Sequence, residues 1–290
     1  MRLITLLALL CMIQPCAMRA IVPVNLINFH NEATDTTRIT QLLIEAEKIS
    51  DPNERIITLA RKFEGVPYVA STLDSNDGEE HLTVNLDELD CTTFVDIVAA
   101  LAYTAGQHRT SWRDFTASLE RLRYRGGEMQ GYPSRLHYFS DWVVDNTARG
   151  NLKEVTNRMP IYKDMVKSIN FMTKNRDKYA ALADSATFEQ LKSYEIGYRN
   201  HRYPVVETNR LSSRETRDAL KEGDIVAIVT KLPGLDVVHL GFIVKDDKGI
   251  PYLLNASSAQ GKVVVDKMPL IERLRRDRSL QGIRIVRLTE

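Results

Sequence analysis

The amino-acid sequence predicts an α+β protein, with helices first and a mainly antiparallel sheet in the C-terminal part. Up to about residue 200, apolar residues recur mostly at helical spacing. From Asp224 onward they form short runs of strand length, separated by hairpin signals such as the Asp-Asp-Lys-Gly sequence at 246–249. Because strands joined by tight turns pair antiparallel, these runs predict a meander or a small barrel.

Capping residues predict where the N-terminal elements begin. Asp35 is expected to cap a first helix, and Asp51-Pro52 is expected to start a second helix that ends at Gly65. A short strand is expected over residues 81–85. A third helix is expected from residue 91 to about residue 106, because an aspartate precedes it and apolar residues follow at helical spacing.

A helical segment and a set of strands make up the rest of the chain. Residues 107–200 are mostly polar with helical spacing and are expected to form a helical insertion. Ser212 and Glu215 form a capping box for a short helix. The predicted strands are 224–230, 237–245, 252–256, 262–266 and 283–288.

The N-terminus has the residue order of a secretory signal. Arg2 precedes an apolar run over residues 3–13, which is too short to span a bilayer, and small residues follow up to Ala20. We therefore expect a signal peptide over residues 1–20 and a single mature domain over residues 21–290. The expected location of the mature protein is periplasmic or secreted.

The composition argues against several classes of function. A hydrophobic fraction of 43%, a charged fraction of 27% and a net charge of +1 are ordinary for a soluble globular protein, and they argue against nucleic acid as a partner. After the signal, no long apolar stretch predicts a transmembrane segment, and Gln14-Pro15 before Cys16 matches a lipoprotein signal poorly. The sequence has no His-x-x-x-His pair, Walker loop, dinucleotide glycine pattern or Gly-x-Ser-x-Gly turn, so we expect no metal and no other cofactor. A monomer is the expected oligomeric state.

Cys91 is the one cysteine that remains after removal of a signal that contains Cys11 and Cys16. At the start of a helix it would lie beside unpaired backbone N–H groups and the positive end of the helix dipole. Both favour the thiolate, which is the nucleophilic form of cysteine. The alternative, which the cysteine count alone favours, is a buried and inert thiol.

A thiolate nucleophile needs a base, and His239 is distinctive because it begins an apolar strand. Gly241, two residues later, leaves space on the same side of the strand for a substrate or for another backbone. Asn255 ends the next apolar run, where its amide could accept a hydrogen bond from the imidazole. The alternatives are a strand-end histidine without a chemical role and an ordinary turn asparagine.

Five short segments follow one another along the chain: 67–69 (PYV), 89–95 (LDCTTFV), 223–226 (GDIV), 238–242 (VHLGF) and 254–258 (LNASS). Their order resembles that in the NlpC-type papain-like cysteine hydrolases of the bacterial cell wall, and more narrowly in their exported N-acetylmuramoyl-L-alanine amidase-like branch. Residues 123–127 (RYRGG) and 134–142 (SRLHYFSDW) also resemble that branch, which has a helical insertion there. The resemblance extends from about Arg55 to Arg287. It implies a papain-like fold, in which helices that include the nucleophile helix pack on the C-terminal sheet.

The resemblance implies a catalytic role for four residues. Cys91 would be the nucleophile, His239 the base, and Asn255 the group that orients His239, although many relatives have histidine at that last position. Tyr68 matches a tyrosine beside the nucleophile, whose hydroxyl helps to polarise the scissile carbonyl. Backbone N–H groups at the start of the Cys91 helix would complete an oxyanion hole. The alternative for Tyr68 is ordinary aromatic packing.

Four residues of the 134–142 segment are candidate substrate-binding residues. Arg135 could pair with a substrate carboxylate, which arginine binds in a bidentate manner. His137, Tyr138 and Trp142 could add an aromatic recognition surface. The alternative is that these aromatic side chains form the core of the insertion.

The function that the resemblance implies is an exported cysteine amidase that acts on peptidoglycan fragments (muropeptides). It would cleave the amide between N-acetylmuramic acid and L-alanine through a thioester intermediate, and soluble anhydro-muropeptides would be preferred to the intact wall. Three alternatives stay open. They are a γ-D-glutamyl-diaminopimelate endopeptidase with the same triad, a non-catalytic muropeptide-binding module, and an acyltransferase of similar fold.

Overall fold

The computed structural model describes residues 22–74 and 78–289. The predicted signal peptide lies outside these residues. The helices are α1 (Glu32–Ala46), α2 (Pro52–Arg61), α3 (Cys91–Gly106), α4 (Trp112–Arg123), α5 (Phe139–Ala148), α6 (Phe171–Lys174), α7 (Ser185–Gly197), α8 (Arg214–Ala219) and α9 (Leu270–Arg276). The strands are β1 (Ile27–Phe29), β2 (Leu82–Val84), β3 (Leu152–Glu154), β4 (Lys163–Lys167), β5 (His201–Glu207), β6 (Ile225–Thr230), β7 (Val237–Lys245), β8 (Pro251–Ser257), β9 (Lys262–Val265) and β10 (Leu280–Leu288).

Eight of these strands form one sheet in the order β4-β5-β10-β6-β7-β8-β9, with β3 paired to β10 beside β5. All neighbouring strands in it are antiparallel. β1 and β2 form a separate parallel pair. The strands from β6 to β9 follow one another in sequence and in space, as short hairpin connections require. They bring the segments that contain His239 and Asn255 side by side.

Capping residues set the helix starts, but not always at the predicted residue. α8 begins after Ser213, whose side chain accepts from Thr216 N, so the capping box predicted at Ser212 and Glu215 was wrong. α1 begins after Asn31, whose side chain accepts from Thr34 N, and the expected cap Asp35 lies inside the helix. The Asp35 carboxylate accepts from the backbone N–H of Asn31 instead, so it stabilises the start of α1 from inside the helix. α2 starts at Pro52 as predicted but ends at Arg61, before Gly65.

The segment expected to be a helical insertion also supplies strands to the sheet. β3 and β4 lie within residues 107–200, and β5 begins immediately after them. β4 is an edge strand with mostly exposed side chains, so its residues lack the apolar alternation that reveals a half-buried strand. The expectation of a mostly helical insertion was therefore incomplete.

Helix α3, which begins at Cys91, is the buried centre of the fold. All but four of its sixteen residues are buried, and it packs against α1, α2, α4 and the β7–β8 face of the sheet. The Phe94 ring meets the Phe242 ring edge to face, with 5.3 Å between centroids. Because Phe94 lies one turn after the start of α3 and Phe242 lies on β7, this contact fixes the N-terminus of α3 beside that strand. Within residues 22–74 and 78–289, no helix combines the length and apolar character needed to cross a bilayer.

Candidate active site

Cys91 is the first residue of α3, and Asp90 caps that helix. The Asp90 side chain accepts from the backbone N–H of Thr92 at 3.0 Å and of Thr93 at 2.8 Å. The Thr93 hydroxyl in turn accepts from Asp90 N at 2.9 Å, which completes a capping box. This local geometry fixes the backbone on both sides of the thiol.

The thiol also contacts the strand that contains His239. The backbone N–H of Leu240, on β7, lies close enough to the Cys91 sulfur to act against the rise in the pKa of the thiol. Leu240 is the residue after His239, and the Cys91 and His239 side chains line the same cavity. Cys91 and His239, which are almost 150 positions apart in the sequence, therefore line one cavity.

Asn255 lies on β8, next to β7, and holds the imidazole. The distance from His239 Nε2 to Asn255 Oδ1 is 2.7 Å. An amide oxygen only accepts hydrogen bonds, so Nε2 must carry the proton in the neutral ring and Nδ1 must have the lone pair. Asn255 is fully buried. The arrangement is that of a thiol, a base and an orienting group.

The thiol is neutral at rest, contrary to the expected bias toward the thiolate. Burial, and after it the charge of the adjacent Asp90 carboxylate, raise the pKa of Cys91 to about 11. The N–H groups of Leu240 and of Cys91 itself act in the opposite direction, but they are outweighed. The sequence argument considered the helix terminus and omitted the charge of the residue that caps it.

The imidazole is neutral as well. Burial, and after it the positive charge of Arg273, lower the pKa of His239 to about 4. Asn255, Asp266 and Asp90 act in the opposite direction but are outweighed. Between the two pKa values the site holds a thiol beside a neutral base. Such a base can accept a proton as the sulfur attacks.

Tyr68 lies in an extended segment next to the nucleophile. Its backbone N–H donates to Gly261 O at 2.9 Å, and it bridges to Leu89, two residues before Cys91. Burial raises the pKa of the phenol, and an ionised Cys91 and the Asp90 carboxylate raise it further. The hydroxyl therefore keeps its proton and can donate a hydrogen bond.

The space left by Gly241 is filled by a neighbouring strand. A Cβ atom at this position would lie 2.7 Å from the Leu254 carbonyl oxygen of β8 and 2.9 Å from the Leu253 side chain. Of the two predicted reasons for this glycine, the close approach of another backbone is confirmed. The glycine lets β8 come close enough for Asn255 to reach His239.

The Cys91 cavity has a volume of about 320 Å³, and the 134–142 segment forms part of its wall. The four residues predicted there to bind substrate all line it. Arg135 is 7% exposed, and its Nε lies 3.3 Å from Glu80 Oε1, with Nη2 3.5 Å from Asp74 Oδ1. A substrate carboxylate would have to share Arg135 with these two acids.

The three aromatic candidates divide between the fold and the cavity. His137 Nε2 donates to Tyr132 O at 2.9 Å, and burial lowers its pKa to about 3. The Tyr138 hydroxyl donates to Glu195 Oε1 at 2.6 Å and accepts from Met172 N at 2.7 Å. The polar groups of His137 and Tyr138 therefore make hydrogen bonds that stabilise the fold. Trp142 is 6% exposed, and its Nε1–H has no hydrogen-bond partner among the described residues.

Sequence reasoning missed Arg123 and Asp96, which also line the cavity. Arg123 is 2% exposed. Its Nε donates to Asp96 Oδ2 at 3.0 Å, and its Nη1 donates to Thr83 O at 2.8 Å. Its Nη2 has no hydrogen-bond partner among the described residues. Asp96 is on α3 and Arg123 is at the end of α4, so only the packing of these helices brings them together. The RYRGG segment contained the arginine but gave no sign of its role.

A comparison with known protein families finds one family whose profile matches most of this chain. The profile of a family described as AmiA-like, N-acetylmuramoyl-L-alanine amidase-like, matches residues 58–283. No curated protein matches the sequence.

Several solved structures are similar to this one. The N-acetylmuramoyl-L-alanine amidase from Bacteroides uniformis ATCC 8492 is 34% identical, with a TM-score of 0.75, and the match covers 82% of this chain and 99% of that chain. A protein from Bacteroides fragilis, whose name proposes a xylanase, is 36% identical with a TM-score of 0.72 and coverage of 80% and 99%. A Legionella pneumophila protein is 22% identical with a TM-score of 0.69 and coverage of 89% and 96%, which shows a shared fold alone.

Proposed function

This chain belongs to the AmiA-like, N-acetylmuramoyl-L-alanine amidase-like family, and we propose that it is a cysteine amidase with an NlpC-type, papain-like fold. Its proposed reaction is hydrolysis of the amide between N-acetylmuramic acid and L-alanine in soluble peptidoglycan fragments. One observation supports the cysteine mechanism most directly: Cys91, at the start of α3, lines the same cavity as His239, the histidine that is bonded to Asn255.

In the proposed first step, Cys91 Sγ attacks the muramoyl carbonyl carbon and His239 Nδ1 takes the thiol proton. Since both groups are neutral at rest, proton transfer accompanies the attack. Negative charge then develops on the carbonyl oxygen. Backbone N–H groups at the start of α3 and the Tyr68 hydroxyl are the donors that would stabilise it.

The second step breaks the C–N bond. His239 returns the proton to the nitrogen of L-alanine, the peptide leaves as a free amine, and the muramoyl group stays on Cys91 as a thioester. A water molecule, deprotonated by the same imidazole, attacks the thioester carbonyl. The muramoyl group leaves as a carboxylic acid and the thiol is restored.

The polar lining of the Cys91 cavity supports an oxygen-rich substrate. Arg123 and Trp142 are each more than nine-tenths buried, and each has one N–H nitrogen without a hydrogen-bond partner in the described part of the chain. A buried donor that lacks an acceptor costs about 1–3 kcal/mol. Carboxylates, amide carbonyls and sugar oxygens, all present in a muropeptide, are the groups that would satisfy them.

Product analysis tests the proposal. The protein is incubated with purified muropeptides, and the products are weighed by mass spectrometry, with Cys91→Ala as the control. A free sugar acid and an intact peptide that begins with L-alanine are the expected products. A shortened stem would instead support the endopeptidase, and transfer of the acyl group to an added amine would support the acyltransferase. Cleavage within the sugar chain would support a glycosidase, as the name of the B. fragilis relative suggests. If the unmodified protein binds muropeptides but converts none, it is a binding module.

We also propose that the protein is exported to the periplasm or the exterior and works as a monomer. The predicted signal peptide over residues 1–20 supports export. Detection of the mature N-terminus near residue 21 in an extracellular or periplasmic fraction is the expected result. A cytoplasmic full-length chain would contradict it.

A further inference from the structure

We propose that Asp266 and Arg273 are positioning residues, which set the tautomer of His239 by fixing the orientation of the Asn255 side chain. The inference rests on the proposed cysteine mechanism. Asp266 follows β9, and Arg273 lies on α9, on the side of Asn255 away from the cavity. Neither residue lines the cavity. Their charges act on the pKa of His239, but their effect on its tautomer would pass through Asn255.

An asparagine alone cannot specify a tautomer. Its amide oxygen accepts and its amide nitrogen donates, and the two ends have almost the same shape. If Oδ1 faces His239 Nε2, that nitrogen is protonated and Nδ1 can take the thiol proton. If the amide were reversed, Nδ2 would donate to Nε2, the ring proton would move to Nδ1, and the base would be lost.

The chain of contacts behind Asn255 has a defined polarity. Arginine only donates, and Arg273 Nη1 donates to Asp266 Oδ2. The carboxylate only accepts, and its Oδ1 accepts from Asn255 Nδ2 at 3.1 Å. Asn255 must then turn Oδ1 toward His239, where the distance is 2.7 Å. The acceptor-only carboxylate therefore sets the proton position on His239, and the guanidinium holds that carboxylate in place.

Two backbone carbonyls help to hold the amide. Asn255 Nδ2 also donates to Leu253 O at 3.2 Å and to Val264 O at 3.3 Å. Asp266 is the nearest of the three acceptors and the only charged one, and hydrogen bonds to a charged group are about twice as strong as neutral ones. Asp266 is 7% exposed, so water screens the contact weakly. We therefore assign the larger share of the orientation to Asp266.

Asp266→Asn is the informative change, because it keeps the shape and inverts the polarity. Arg273 would hold the oxygen of the new amide, and its nitrogen would face Asn255 Nδ2, donor against donor. Asn255 can relieve this clash by turning its nitrogen toward His239; alternatively the new amide reverses and gives up the hydrogen bond from Arg273. Every arrangement of the two amides loses at least one hydrogen bond that the wild type makes.

The test combines kinetics with a direct observation of the imidazole. For Asp266→Asn we expect kcat to fall about 10- to 100-fold with KM nearly unchanged, as loss of one charge-assisted hydrogen bond implies. The ¹⁵N shifts of His239, in protein labelled at histidine, should move from the Nε2–H toward the Nδ1–H tautomer. Arg273→Met should act in the same direction, and Arg273→Lys, which keeps a charged donor, should restore most of kcat.

Asp224→Asn is a matched control. Asp224 is also fully buried, and Arg287 Nε donates to its Oδ1 at 2.6 Å, but this pair lies away from the cavity. The control should lower Tm without a change in kcat or in the His239 tautomer. If Asp266→Asn does the same, Asp266 is only a structural ion pair and the proposal is overturned.

The tautomer measurement needs no substrate, so the two proposals can fail separately. If the wild-type protein cleaves no muropeptide, the proposed function fails, whereas the ¹⁵N shifts still decide the role of Asp266. If the wild type is active and the Asp266→Asn protein keeps both the Nε2–H tautomer and its kcat, the positioning role is refuted and the amidase stands.

Discussion

Asp90 has two effects on the nucleophile that substitution can separate. Its side chain caps α3 through Thr92 N and Thr93 N, and its charge raises the pKa of Cys91. Asp90→Asn removes the charge and keeps an oxygen that can cap the helix, because asparagine and aspartate are similar N-caps. Asp90→Ala removes both the charge and the cap.

The size of the effect follows from Coulomb's law. Two unit charges about 6 Å apart at an effective dielectric constant of about 20 repel by roughly 3 kcal/mol. Asp90 is half-exposed, so water screens part of this repulsion. We expect Asp90→Asn to lower the pKa of Cys91 by about 1, which raises the thiolate fraction at neutral pH about tenfold.

The assay is the rate of alkylation by iodoacetamide as a function of pH. Mass spectrometry of the peptide that contains Cys91 excludes signal from other thiols. Both variants should shift the midpoint downward, whereas only Asp90→Ala should lose about 1 kcal/mol of unfolding free energy through the missing cap. An unchanged midpoint in Asp90→Asn would refute the reasoning, because it would leave burial as the whole cause of the raised pKa.

Three further predictions concern the base, the fold and the oxyanion. The value of kcat/KM should fall as the pH drops through about 4, where His239 gains a proton; an acid limb near 6.5 or above would contradict this. Stability should decrease as the pH falls from about 6.5 toward 3, because burial holds His137 neutral in the folded state and it gains a proton more readily when unfolded. His137→Gln, which keeps an N–H donor for the Tyr132 carbonyl, should flatten that dependence in urea unfolding, and an unchanged slope would exclude His137 as its source. Tyr68→Phe should lower kcat about 100-fold with little change in KM if the hydroxyl stabilises the oxyanion, and an unchanged kcat would assign Tyr68 to packing.

The sequence predicted the local parts of the site well, because they depend on neighbouring residues. The start of α3 after Asp90 could be read from a cap followed by helical spacing, and strands β6 to β10 could be read from short apolar runs and turns. The close approach at Gly241 was one of two stated reasons for that glycine. These features depend mainly on residues that are close to them in the sequence.

The properties that depend on packing could not be predicted in this way. The charge state of Cys91 depends on how deeply α3 is buried and on the balance between Asp90 and the Leu240 N–H. The pairing of Asp96 with Arg123 depends on how α3 and α4 pack. β4 was missed because a polar edge strand has no apolar period.

The contacts behind Asn255 are a further case. Asp266 was expected at the end of a strand, but its partner Arg273 is on α9, which the sequence analysis did not predict. A buried carboxylate next to an asparagine has no signature in the sequence. Only the structure shows that the polar contacts behind His239 reach beyond Asn255.

The most direct test of the cysteine mechanism is to weigh the covalent intermediate. The protein is mixed rapidly with a muropeptide, quenched with acid within the first turnover, and analysed by intact mass and peptide mapping. We predict an adduct on the Cys91 peptide with the mass of the muramoyl acyl group and no amino acids of the stem. An adduct that also contains L-alanine and D-glutamate would contradict the proposed bond, and an adduct on any residue other than Cys91 would contradict the proposed nucleophile.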